Sequence, residues 1–283
     1  MNSEKRKKIF KAIAVIIIIG IFVGRKIYNS RCITFKDKRM QESIYEELKT
    51  KNFLSKGFSK NHITYADMGK VKELHINLWD GYESLEDLQY CRNLESLGIN
   101  EYLSEESFYD PDMDYDEYIS KTKISDKKLA KFQKELTKIM PKLSKLRNMD
   151  ISGDDRCQIT SIAFVGKCKK LKNFTMFKSM EVKDFFPIRQ CSKLEKVRIY
   201  YSNISDVRDF LYFDNIKELD ISYCPAARDF KEQELLEKAY PQADIYMHSD
   251  LLEKALEEYA EESDGQDSGE NGFDEENINQ NGQ

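Results

Sequence analysis

The chain has 283 residues, 40% of them hydrophobic, enough for one sizeable core with appendages at its ends. Its net charge of -5 sums 45 basic and 50 acidic residues that are unevenly spread, with a basic N-terminus and an acidic C-terminus. No basic stripe with interleaved aromatics lies between them, which sets nucleic-acid recognition aside. Six cysteines without a CxxC pair, and three scattered histidines, argue against a zinc site.

Lys5, Arg6, Lys7 and Lys8 precede an apolar run from Ile9 to Gly24 that only Lys11 interrupts, and Arg25 and Lys26 close it. The pattern predicts a single-pass transmembrane signal-anchor within a basic N-terminal segment, residues 1–30. The run itself rises about 24 Å as a helix, against a hydrocarbon core of about 30 Å; extending the membrane-embedded stretch over residues 9–28 with snorkelling basic ends closes the gap. A cleaved signal would end in small residues, whereas Arg25, Lys26, Ile27 and Tyr28 follow, and Cys32 after Arg31 lacks the small residue that lipidation requires. The basic excess ahead of the run directs the N-terminus to the cytoplasm and the remainder to the extracytoplasmic side. Inserted the other way, the chain would be a cytoplasm-facing scaffold.

Residues 31–70 read as a helical N-terminal cap, with a helix-like run from Lys38 to Lys51. Residues 71–248 are a repeat. Apolar residues recur every third position and then close on a period of two, as in Tyr82, Leu85, Leu88, Cys91, Leu94, Leu97, Ile99. Further copies are Ile159 to Met176, Val182 to Ile199 and Ile204 to Ile221, and the closing cadence alone appears at Val71–Ile76 and Leu146–Ile151. The six predicted strands are spaced by about 22 to 25 residues outside one long excursion, a unit length that belongs to leucine-rich repeats. The period-two tip is a short strand; the period-three wall opposite calls for 3-10 or irregular turns, because an α-helix would need 3.6. Cys91, Cys168 and Cys191 share one phase of this pattern and are expected in the core.

The copy running from Ile199 to Ile221 resembles the bacterial internalin-type leucine-rich repeat, and Ile63–Met68 is similar to the cap that opens such arrays. The resemblance covers residues 35–247. It implies an α/β solenoid with short parallel strands on a concave face and a non-catalytic role in binding protein or cell-surface ligands, with no cofactor. One departure stands out: the family's asparagine-ladder position falls on Trp79, Tyr102, Asp154, Ser179, Ser202 and Cys224.

An insertion at about 101–142 breaks the cadence. Its second part predicts a helix capped by Ser125 and Asp126 and stopped by Pro141, with Leu129, Phe132, Leu136 and Ile139 on one face. Its first part holds Asp110, Asp112, Asp114 and Asp116, weak candidates for a divalent metal and the one foothold for a metal-dependent enzyme. An EF-hand would need glycine and glutamate where Tyr115 and Lys121 stand. A closing helix at 249–262 and an acidic, disordered tail at 263–283 complete the chain.

If Leu74, Leu97, Met149, Phe174, Val197 and Leu219 point inward, their strand neighbours form columns on the opposite face. One column is His75, Gly98, Asp150, Thr175, Arg198 and Asp220. The next is Asn77, Asn100, Ser152, Phe177, Tyr200 and Ser222. Exposed aromatics and arginine supply most binding hot spots, so Trp79, Phe177, Arg198, Tyr200 and Tyr201 are the candidate partner-binding residues.

Overall fold

The computed structural model describes residues 3–53, 59–101, 124–153 and 159–249, with 3–9 described by backbone alone. The acidic run 110–117, Cys157, the closing helix and the tail fall outside these residues.

The sequence pattern organises the repeat through two hydrogen-bond systems. On the wall, Leu85, Leu88, Cys91 and Leu94 are fully buried, and Leu88, Cys91 and Leu94 each donate the N–H to the carbonyl three residues back, at 2.9 to 3.1 Å. The same i to i+3 chain links Ile162, Val165, Cys168 and Leu171, and again Phe185, Ile188, Cys191 and Leu194. A three-residue hydrogen bond and a three-residue apolar period coincide, so every buried side chain stays on one side of the wall. The expected 3-10 geometry is observed.

On the other side seven strands form one parallel sheet in strict chain order. They are β1 (Glu73–Asn77), β2 (Ser96–Glu101), β3 (Asn148–Gly153), β4 (Asn173–Phe177), β5 (Lys196–Tyr200), β6 (Glu218–Asp220) and β7 (Asp244–Tyr246). Leu74, Leu97, Met149, Phe174, Val197 and Leu219 pair in register and are buried. Wall and sheet enclose one continuous apolar core. No strand pair could close such a core alone, so each repeat depends on its neighbours.

Helices seal the ends and the insertion. α1 (Ser3–Asn29) leads into α2 (Lys38–Thr50), which buries Met40, Ile44 and Leu48 under the first repeat. A single helical turn, α3 (Tyr65–Met68), opens with a reciprocal Thr64–Asp67 capping box. α4 (Asp126–Ile139) is the predicted insertion helix, capped by Ser125, and it buries Leu129, Phe132, Leu136 and Ile139 as expected. α5 (Phe230–Ala239) then replaces the 3-10 wall ahead of β7. Neither α5 nor β7 was expected from the sequence, because a helical wall carries no period of three.

The single-pass span expected at 9–28 is not shown. α1 is a continuous helix, but among the described residues no helix is long and apolar enough to cross a membrane. The physical reason is the spacing of Lys11, Arg25 and Lys26: the uncharged stretch 12–24 rises only about 20 Å, against a hydrocarbon core of about 30 Å.

Candidate binding surface

The register of the sheet decides which side chains stand beside one another on its outward face. His75, Gly98, Asp150, Thr175, Arg198 and Asp220 pair in one continuous row, as do Asn77, Asn100, Ser152, Phe177 and Tyr200. The first predicted column is present; the second ends at Tyr200, and Ser222, expected to continue it, is instead buried. In the first, the His75 ring lies over Gly98, where an added Cβ would meet Nδ1 at 2.2 Å, so any larger residue there would have to displace the exposed ring.

Past the strand ends the backbone does something the sequence did not announce. Lys178, Tyr201 and Tyr223, at equivalent places after β4, β5 and β6, have left-handed φ angles of 52°, 48° and 60°. None is glycine, so each carries a steric cost of roughly 1 to 2 kcal/mol. The turn serves two purposes. It lets each N–H donate to the next repeat, Lys178 to the Tyr200 carbonyl, Tyr201 to that of Ser222 and Tyr223 to that of His248. It also sends the following Ser179, Ser202 and Cys224 into the core, where they are buried. Ser202 Oγ donates to the Tyr200 carbonyl at 3.1 Å and Cys224 Sγ to the Ile199 carbonyl at 3.4 Å. Hydroxyl and thiol thus do at these turns what the ladder asparagine would do.

The left-handed side chains project outward and meet. Tyr201 lies flat on Tyr223, centroids 4.5 Å apart and planes 1° from parallel, and the Phe177 ring meets Tyr201 edge-on at 5.7 Å. The Lys178 ammonium sits 5.8 Å from the Phe177 centroid. Farther along, Tyr246 and His248 stack at 6.4 Å. Tyr223, Tyr246 and His248 extend the strip but were missed, because β7 was missed and because Ser222 was taken as the last residue of its column.

The five candidate residues are not one site. Phe177 and Tyr201 are in contact within the strip. Arg198 and Tyr200 adjoin it but have partners of their own: Arg198 Nε is bound to the Glu218 carboxylate, which also takes Lys196 Nζ at 2.8 Å. Burial, with the Asp220 carboxylate beside it, pushes the Tyr200 phenol up to about 12. Trp79 stands apart at the other end of the sheet, half-buried against the core, its backbone N–H accepted by Asn77 Oδ1 at 3.3 Å.

The opposite wall also shows rings. Phe186 and Tyr212 are more than half exposed, but both lie against the Arg189 guanidinium, at 5.2 and 4.1 Å, and Asp209 holds its Nε at 3.2 Å.

The buried thiols are inert. Burial pushes Cys91 up to about 12 and Cys191 and Cys224 up to about 11, far from a reactive thiolate. Among the described residues no group of three or more His, Cys, Asp or Glu could hold a metal ion.

Seven parallel strands in chain order, most of them backed by a wall of period three, define a leucine-rich-repeat solenoid. No known protein family and no curated protein sequence matches the chain. Its solved structural neighbours include internalin C2 of Listeria monocytogenes, 17% identical with a TM-score of 0.31, over 68% of this chain and 86% of that one. A second is the internalin inlF of the same species, 15% identical with a TM-score of 0.27, over 67% of this chain and 64% of that one. A third is a leucine-rich-repeat protein of Leptospira interrogans, 10% identical with a TM-score of 0.31, over 56% and 45%. The chain thus spans less than two thirds of the second and third.

Proposed function

We propose that this chain is a non-catalytic, membrane-anchored repeat protein that binds a protein or cell-surface ligand along the strip Phe177, Tyr201 and Tyr223. The observation that carries the reading is the run of left-handed turns. Three consecutive repeats keep a non-glycine residue where glycine would relieve strain, and in two of them that residue is a tyrosine turned outward. Strain held at successive equivalent positions, with the side chains meeting in one row, Tyr201 exposed between the half-buried Phe177 and Tyr223, is characteristic of a surface kept for contact.

Anchoring is supported by the exposure of α1. From Phe10 to Val23 its large apolar side chains, on every face, are between 49% and 77% exposed. A continuous apolar surface of this kind calls for a cover. A bilayer fits it, with Lys11, Arg25 and Lys26 reaching outward to compensate for the short apolar run. The basic residues 5–8 then stay on the cytoplasmic side and the repeats face outward.

The test is photo-crosslinking in intact cells, with a photoreactive phenylalanine at Tyr201 or, on the opposite wall, at Lys193. One discrete adduct from position 201 and none from 193 is expected, and Phe177→Ala should weaken that complex by about 1 to 3 kcal/mol. Equal adducts from both positions, or none from 201, would overturn the surface. Protease added outside the cells should remove the repeats; survival there would reverse the orientation.

A further inference from the structure

Where α1 meets the repeat domain a cleft of about 660 Å³ opens, lined by Phe22, Arg25, Lys26, Asn29, Asp67 and Lys70, among others. Its geometry is fixed by the way the helix ends. Tyr28 stacks on Tyr65 with centroids 4.5 Å apart, and Tyr65 N–H donates to the Arg31 carbonyl at 3.1 Å. Cys32 then bridges Thr64 in antiparallel fashion, and Ile33 N–H donates to the Ile63 carbonyl at 2.8 Å. The helix is joined to the cap by rings and backbone together.

The charges in the cleft are unequal. Asp67 is already satisfied, by the Thr64 N–H and hydroxyl and by Lys70 Nζ at 2.8 Å. Arg25 and Lys26 enter no ion pair among the described residues. Phe22, one turn earlier on the same helix, is 67% exposed and lies where the uncharged stretch approaches its end. An apolar ring therefore stands next to two uncommitted cations at one level of the helix, an arrangement complementary to a small anion attached to an apolar chain.

We propose that this cleft seats the phosphate headgroup of an anionic membrane lipid. Arg25 and Lys26 bind the phosphate, Asn29 donates to its polar substituent, and Phe22 packs on the glycerol and first acyl carbons. The proposal rests on the insertion of α1 in a bilayer.

The experiment uses the full chain in two arms. Flotation with neutral phosphatidylcholine vesicles tests insertion alone, and the chain should float. In detergent micelles, where no membrane surface potential acts, a fluorescent phosphatidylglycerol is titrated into the wild type and two double variants. Saturable binding is expected, weakened roughly tenfold by Arg25→Gln with Lys26→Gln. Lys5→Gln with Arg6→Gln, which removes the same charge from the other end of the helix, should leave it within about twofold, and both variants should melt as the wild type does.

Equal losses in the two variants would reduce the effect to diffuse charge and overturn the site. Displacement of the lipid by inorganic phosphate at matched concentration would make it a free-anion site. A chain that floats but binds the probe no better than phosphatidylcholine would sink the cleft and spare the anchor. A chain that fails to float on neutral vesicles would sink both.

Discussion

The two halves of the repeat domain satisfy their irregular backbone in different ways. Among the described residues every buried acid lies before β3, namely Asp37, Asp67, Asp87, Glu101 and Glu135, and every buried serine lies after it, namely Ser179, Ser202, Ser222 and Ser249. Most of the acids act at long range; Asp67 is the exception, bound to Thr64 and Lys70 three residues to either side. Asp37 caps α2 through Met40 N–H and also accepts N–H groups of Glu83 and Ser84, at 2.6 to 2.9 Å. Asp87 returns the clasp by accepting from Lys36 and Asp37, while Glu135 ties α4 to Ser84 and Leu85. The serines act within the turn or across one repeat: Ser202 and Ser222 each bond two residues back, and Ser222 Oγ also accepts the His248 N–H of the next repeat at 3.0 Å. Where cap and insertion meet the repeats, non-repeating backbone leaves donors that no ladder reaches, and a carboxylate can span the gap. Where the repeats are regular, a hydroxyl suffices.

This contrast breaks most visibly at Asp37. Asp37→Ala strands three N–H groups, one buried and two part-buried, and should destabilise the chain by about 3 kcal/mol in urea unfolding, while Ser222→Ala should cost about 1 kcal/mol. Equal costs would erase the difference between the halves.

The later half is held instead by rings. Phe210 lies 5.9 Å from Phe185 and 6.4 Å from Phe213, and its carbonyl accepts from the Tyr240 hydroxyl at 2.6 Å. Phe210→Ala should cost about 3 to 4 kcal/mol through the cavity it leaves, read as a lowered melting temperature.

Asp87 sharpens the comparison by pH. Burial raises its carboxyl above the ordinary value, so the folded state holds its proton more tightly than the unfolded chain does. That stabilising contribution is present below the unfolded value near 4 and is lost as pH rises through the folded value. Asp87→Asn keeps an acceptor for both N–H groups, so it should flatten this part of the stability profile while changing the acid limit little. An unchanged slope would remove Asp87 from the account.

The smallest expected effect has the opposite sign. Lys178→Gly relieves a left-handed residue at the cost of a weak cation–π contact, and should stabilise the chain by about 0.5 kcal/mol in thermal melts. A destabilised variant would mean that the turn is not strained.

Periodicity explains what could be read in advance. Strand positions, register and the buried phase of Cys91, Cys168 and Cys191 were legible because periods of three and two admit one inward set. The polar clasps were not, since Asp37 and Asp87 look like ordinary surface acids until the fold brings together residues about 50 apart in sequence. β7 escaped because Ile245 is its single inward residue and α5 precedes it. Of the candidate surface, the columns were visible, but the meeting of Phe177, Tyr201 and Tyr223 was not, because left-handed turns at tyrosine leave no mark in composition. Trp79 was selected for its residue type, and its place against the core follows from local packing instead.

The unbroken strand order has a consequence for synthesis. Each strand pairs only with those made just before and just after it, so a nascent chain can add repeats to a finished edge without waiting for its C-terminus. The cap, with its clasp on the first repeat, emerges early and can serve as the template. Truncated nascent chains arrested after successive strands should therefore gain protease resistance stepwise, one repeat at a time, with one longer step across the insertion between β2 and β3.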